Sequence, residues 1–186
     1  MAKLYFRYGT MFAAKSANLL DVKENYFHQG KPTLLAKPSF DTRDGATIVA
    51  SRVRHIQEEA DYVIRPGEDN FREWAKRPNL ACVLIDEAQF LSEANVVGIE
   101  DFVLWADIPA ICYGLRSDWK RELFPGSAAL LARADSIEEV KTVCSHACCN
   151  RKALFNRRDH SIAPTGPAES QEVGHHFLPV CRQHFQ

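Results

Sequence analysis

Eight consecutive residues, Gly9-Thr10-Met11-Phe12-Ala13-Ala14-Lys15-Ser16, follow the outline G-x-x-x-x-G-K-[ST]. A loop of this kind turns backbone N–H groups toward phosphate oxygens. Its Lys reaches the β- and γ-phosphates, and its hydroxyl meets Mg²⁺. One member departs from the pattern, because Ala14 stands where the second glycine belongs. If that position needs a positive φ, Ala costs about 1 kcal/mol or more there. Further along, Val83-Leu84-Ile85-Asp86-Glu87 is an apolar run that ends in two carboxylates. At the carboxyl end of a parallel strand, Asp86 would orient Mg²⁺ and Glu87 could take a proton from an attacking hydroxyl. The two elements, in this order and each on a fitting local structure, indicate a nucleotide binder.

A second constellation lies near the end. Cys144, Cys149, Cys181 and His184 would make a Cys₃His site, and the C-x-x-H spacing of 181–184 is that of a zinc knuckle. The first half is irregular: Ala147 occupies the place a regular C-x-x-C would give to cysteine, and Cys148 and Cys149 follow. Cys149 is favoured because Asn150 after it tolerates a left-handed turn. Cys148 stays open as the alternative ligand, and His146 as a weaker one. A closed four-ligand site would make this zinc structural. The remaining histidines (28, 55, 160, 175 and 176) read as surface residues, and Trp74 and Trp105 as helix packing.

The elements that must carry these residues alternate. Leu4-Tyr5-Phe6 reads as a strand, followed by a helix ending near Gly30 and a second strand at 33–36. Residues 46–80 are mixed, with Pro66-Gly67 as a turn and a short helix at 71–76. The continuous apolar runs 81–85 and 109–113 fit strands covered on both faces, with a helix at 94–107 between them. This predicts an α/β fold, a mainly parallel sheet flanked by helices. After about Val143 the chain turns rich in Cys, His, Arg and Pro, so 1–142 is expected as the α/β domain and 143–186 as a metal-stapled module. The 186 residues carry a formal net charge of −1, with no run long enough for a membrane span and no signal-like apolar stretch. Neither a nucleic-acid nor a membrane partner is expected, and the expected address is cytoplasmic.

Several stretches resemble the cytosolic, zinc-containing P-loop thymidine kinases, in their bacterial branch. Asp86-Glu87-Ala88-Gln89-Phe90 resembles the signature D-E-[AGS]-Q-F. Residues 1–6, Met11 and Lys15-Ser16 look like the family's first strand and P-loop. Asp41-Thr42-Arg43 resembles its D-x-R element and Ser51-Arg52 its S-R pair. Tyr113-Gly114-Leu115-Arg116-Ser117-Asp118-Trp119 is similar to Y-G-L-R-T-D-F. Residues 149–153 and 181–185 resemble the two halves of the zinc module.

The resemblance implies transfer of the ATP γ-phosphate to the 5′-hydroxyl of deoxythymidine, with Mg²⁺ and a structural Zn²⁺. It makes Glu87 the general base. Gly9 through Ser16, Arg43, Asp86 and Gln89 would hold ATP and its phosphates. Met11, Phe90 and Phe124 would line the thymidine pocket, with Trp119 in place of the usual Phe and Phe177 in place of the usual Tyr. A loop at about 152–177 would cover the base, and the assembly would be a homotetramer. Two other classes compete. One is a P-loop ATPase or switch in which Gln89 positions water; the other is a nucleoside-binding relative that has lost turnover. A zinc-ribbon reading with Arg151, Lys152, Arg157 and Arg158 on phosphates finds no support in the net charge.

Overall fold

The computed structural model describes residues 1–41, 45–51, 54–159 and 177–185. Its elements in chain order are β1 (Leu4–Tyr8), α1 (Lys15–His28), β2 (Thr33–Pro38), β3 (Ile48–Ser51), β4 (Ile56–Glu59), β5 (Tyr62–Ile64), β6 (Cys82–Ile85), α2 (Glu93–Ala106), β7 (Ala110–Gly114), α3 (Pro125–Arg133), β8 (Ser136–Glu139), β9 (Phe155–Arg158) and β10 (Phe177–Val180). Six strands form one sheet in the order β5-β2-β6-β7-β1-β8, and every neighbouring pair runs parallel. Two antiparallel hairpins, β3–β4 and β9–β10, stand apart from it.

The apolar runs are explained by burial on both faces. Along β6, Val83 and Ile85 join a cluster with Val96, Ile99, Phe102 and Val103 of α2 and Leu130 of α3. Cys82 and Leu84 point the other way, into a cluster with Leu19 and Leu20 of α1. Alternate side chains of a strand leave opposite faces, so a covered sheet needs every position apolar.

The two long helices begin differently. At α2, Ser92 accepts from the Asn95 N–H at 3.2 Å while Asn95 Oδ1 accepts from the Ser92 N–H at 2.8 Å, a reciprocal cap. The Asn95 amide also donates to the Arg65 and Glu68 carbonyls, tying the segment before β6 to this helix. By contrast α1 has no side-chain cap and no acidic residue in its first turn. Its leading N–H groups and the positive end of its dipole are therefore left for an anion.

Several elements differ from the sequence reading. Residues 46–80 contain the β3–β4 hairpin and the sheet strand β5, and α3 and β8 were not anticipated. Trp74 is buried among Tyr62, Phe71 and Phe102, as expected of packing. Trp105 is not: it is 55% exposed on α2, with the Arg72 guanidinium 5.1 Å from its ring centre.

Candidate active site and metal centre

The loop between β1 and α1 is built tightly. A Cβ on Gly9 would come 2.5 Å from the Val140 carbonyl oxygen, so only glycine fits between the loop and the chain beyond β8. The Gly9 N–H donates to the Gly114 carbonyl at the end of β7, at 3.2 Å. Ala14 sits at φ 57°, ψ 32°, the left-handed conformation that a glycine would take without strain. Lys15 Nζ folds onto the loop and donates to the Thr10 carbonyl at 2.9 Å. The Thr10 hydroxyl is buried with no hydrogen-bond partner among the described residues. Phe12 also has a positive φ, 58°, and is exposed.

At the end of β6, Asp86 is buried beside the Ser16 hydroxyl, which helps to stabilise its charged form. Burial, and after it the Glu87 charge, push the Asp86 carboxyl well above the usual carboxylate range. The Ser16 hydroxyl, the Glu87 N–H and the Lys15 charge pull the other way. A carboxyl group and a hydroxyl side by side at the start of α1 and the end of β6 offer hard oxygen donors of the kind suited to Mg²⁺. Glu87 follows at φ 50° and is half-buried. Gln89 is buried: its Nε2 donates to Glu87 Oε2 at 2.5 Å and its Oε1 accepts from the Leu115 N–H at 3.0 Å.

Beside these groups, Met11, Leu115, Asp118, Trp119, Phe124, Asn156 and Phe177 line one cleft. Four of the five residues expected at a nucleoside pocket thus converge. Phe90 does not line it; its ring packs edge-on against Phe124 at 5.8 Å and tilted against Phe40 at 5.1 Å. Lys120 Nζ and the Arg158 guanidinium lie 5.3 Å and 5.8 Å from the Trp119 ring centre, and the indole N–H is buried without a partner among the described residues. Arg43 and residues 160–176 of the expected covering loop lie outside the described residues.

The metal candidates meet. One ligand atom from each of Cys144, Cys149, Cys181 and His184 lies within 4.8 Å of the others. Cys144 Sγ and Cys181 Sγ stand 3.4 Å and 3.5 Å from His184 Nδ1, and Cys149 Sγ stands 3.9 Å from Cys181 Sγ. Tetrahedral zinc thiolates at ~2.3 Å would sit about 3.8 Å apart, so the donor set fits zinc. Cys148 is exposed and lies outside the cluster. It is Cys148, at φ 63°, that adopts the left-handed turn, not Asn150; the turn precedes the ligand instead of following it. His146 stacks on the His184 ring at 3.8 Å instead of joining the donors. A small apolar cluster of Val180, Phe155, Leu178 and Phe185 packs around the sulfurs.

The sequence profile of thymidine kinase matches residues 2–185. The chain is 41% identical to the thymidine kinase of Lactiplantibacillus plantarum, over all of this chain and 96% of that one. It is also 41% identical to the enzyme of that name from Lactococcus lactis and 37% identical to that from Streptococcus agalactiae, with all of this chain and 97% of each relative aligned. The chain belongs to the thymidine kinase family. Within that frame, sequence reasoning missed three residues of the cleft. Leu115 and Asp118 lie inside the Tyr113–Trp119 stretch already singled out, but only the aromatic end of it was assigned to the pocket. Asn156 gave no signal: it is one polar residue in a basic segment, and only the fold brings its Oδ1 to the Met11 N–H, at 2.8 Å.

Proposed function

We propose that the chain transfers the γ-phosphate of ATP to the 5′-hydroxyl of deoxythymidine, forming dTMP. The observation that carries this reading is the joint between the two halves of the site. Ser16 of the phosphate loop acts on the buried Asp86, Glu87 follows it in the chain, and the aromatic cleft beginning at Met11 lies alongside. ATP phosphates would take the leading N–H groups of α1 and the Lys15 ammonium. Lys15 would leave the Thr10 carbonyl for them, and Arg43 would add its charge at the reacting phosphates. Thymidine would lie in the cleft against Met11, Trp119, Phe124 and Phe177, with Phe90 buttressing Phe124. The Glu87 carboxylate accepts the proton of the 5′-hydroxyl as that oxygen attacks, while phosphate charge is met by Lys15 and Arg43. Asp86 and Ser16 would hold Mg²⁺, which neutralises charge on the phosphates when bound. The engagement of both ends of the Gln89 amide speaks against its holding a water for ATP hydrolysis.

Cys144, Cys149, Cys181 and His184 would hold a structural Zn²⁺ that fixes the module at 143–186, distinct from the α/β domain at 1–142. A homotetramer in the cytoplasm completes the reading. No helix among the described residues is long and apolar enough to cross a membrane. The test is product formation: purified protein, ATP and Mg²⁺ are incubated with thymidine, deoxycytidine or no nucleoside, and nucleotides are resolved by chromatography. The reading expects dTMP and ADP in equal amounts from the thymidine sample alone. ADP released equally without nucleoside would overturn it.

A further inference from the structure

Gln89, a phosphate ligand by the family resemblance, also makes two bonds within the protein, to Glu87 and to Leu115. The side chain is 1% exposed and lies between two parts of the site. Chemistry dictates which way its amide faces. The Leu115 N–H can only donate, so it must meet the amide oxygen, and the NH₂ is then presented to the Glu87 carboxylate. The bond to Glu87 is charge-assisted, and it reaches a residue whose backbone is already held at φ 50°.

The surroundings make room for this one arrangement. A Cβ on Gly114, at the end of β7, would fall 2.8 Å from Gln89 Oε1 and 3.0 Å from its backbone nitrogen. A Cβ on Gly126 would fall 2.4 Å from the Ala88 carbonyl oxygen. Leu115 is anchored in its turn, since its carbonyl accepts from the Ser127 hydroxyl of α3 at 2.5 Å. Leu115 is also a wall of the nucleoside cleft. A continuous run of hydrogen bonds therefore leads from α3 through Leu115 and Gln89 to Glu87.

We propose that Gln89 is a positioning residue, whose amide registers the Glu87 carboxylate against the Leu115 backbone of the nucleoside cleft. The inference rests on the reading of Glu87 as the general base. Orientation of a base within a fraction of an ångström governs how often it meets the proton it must accept, so the contribution falls on the chemical step and not on binding.

The experiment is a double-mutant cycle of E87Q, Q89M and the pair, with kcat and both KM values measured for thymidine and ATP. Met keeps the length of the side chain and removes both bonds. Q89M should lower kcat about 10- to 100-fold, the loss of one charge-assisted hydrogen bond expressed as a rate. Both KM values should stay within about twofold, because substrate binding is not its task. In the E87Q background the same substitution should change kcat by less than about twofold, since the group it orients is gone. An equal loss in both backgrounds, or a loss confined to KM, would overturn the proposal. Should Q89M fail to fold, Q89E keeps the shape and the Leu115 bond but sets a second acceptor against Glu87. It should show the same background dependence, and equal losses would again overturn the proposal. E87Q alone reports on the base: wild-type kcat there would sink that reading, whereas the ratio of the two Q89M losses reports on positioning.

Discussion

Asn156 Oδ1 of β9 accepts a hydrogen bond from the Met11 N–H of the phosphate loop, at 2.8 Å across 145 positions of sequence. The side chain is buried and lines the cleft with Met11, Trp119, Phe124 and Phe177 as well. One amide thus joins the phosphate loop to the hairpin that also bears Phe177.

Replacing Asn156 with Ala leaves the Met11 N–H without its acceptor. The expected loss is about 1–3 kcal/mol of stability in urea denaturation, with a raised KM for thymidine. N156D keeps an acceptor at that oxygen and should retain most of the stability. Equal stability of N156A and wild type would contradict the role.

Ala14 holds a left-handed conformation at the start of α1. A14G should therefore stabilise the protein by about 1 kcal/mol, raising Tm by roughly 2–4 °C, with transfer activity undiminished. A lower Tm in A14G would show that the conformation is not strained.

The cysteine pair separates cleanly. C149S removes a sulfur from the cluster, and metal analysis of the purified protein should find zinc well below the roughly one ion per chain expected of the wild type. C148S alters an exposed thiol outside the cluster and should keep its zinc. The reverse outcome would exchange the two assignments.

Asp61 joins β2 to the segment before β6: Oδ2 accepts from the Leu35 N–H at 2.8 Å and Oδ1 from Arg77 Nη2 at 2.6 Å. Partial burial works to raise its pKa, but Arg77 and the Leu35 N–H outweigh burial and bring it below the ordinary 3.8. A depressed folded pKa means the stabilisation is present above the unfolded value and lost as pH falls through the folded one. D61N should be about 1 kcal/mol less stable than wild type at neutral pH, with the gap closing below pH ~4. A gap unchanged at pH ~3 would contradict it.

The central sheet was legible because β6 and β7 are covered on both faces and must be apolar throughout. The β1–α1 loop and the Asp86-Glu87 strand end were legible because each is a short local pattern of residue types, and both lie where that pattern places them, between strand and helix and at a strand's carboxyl end. The sheet edges were not. Strand β8, Ser136-Ile137-Glu138-Glu139, pairs on one side only and has no buried residue, so it carries no strand-like pattern. Helix α3 opens with Pro125 at its start, but Gly126 and Ser127 behind it look like a turn. Gly126 is there because α3 presses on the Ala88 carbonyl, which no local pattern reveals. Trp105 was misread because apolar periodicity along α2 does not say where the sheet stops covering the helix. Asn156 acquires its role only through a contact 145 residues distant.

The most direct test of the account is transfer of labelled γ-phosphate from ATP to thymidine by wild type and E87Q, each with a no-nucleoside control. Thymidine-dependent transfer by the wild type is predicted, with kcat about 10²- to 10⁴-fold lower in E87Q and ATP affinity unchanged. Wild-type transfer by E87Q would contradict the role of Glu87, and phosphate release indifferent to thymidine would contradict the kinase itself.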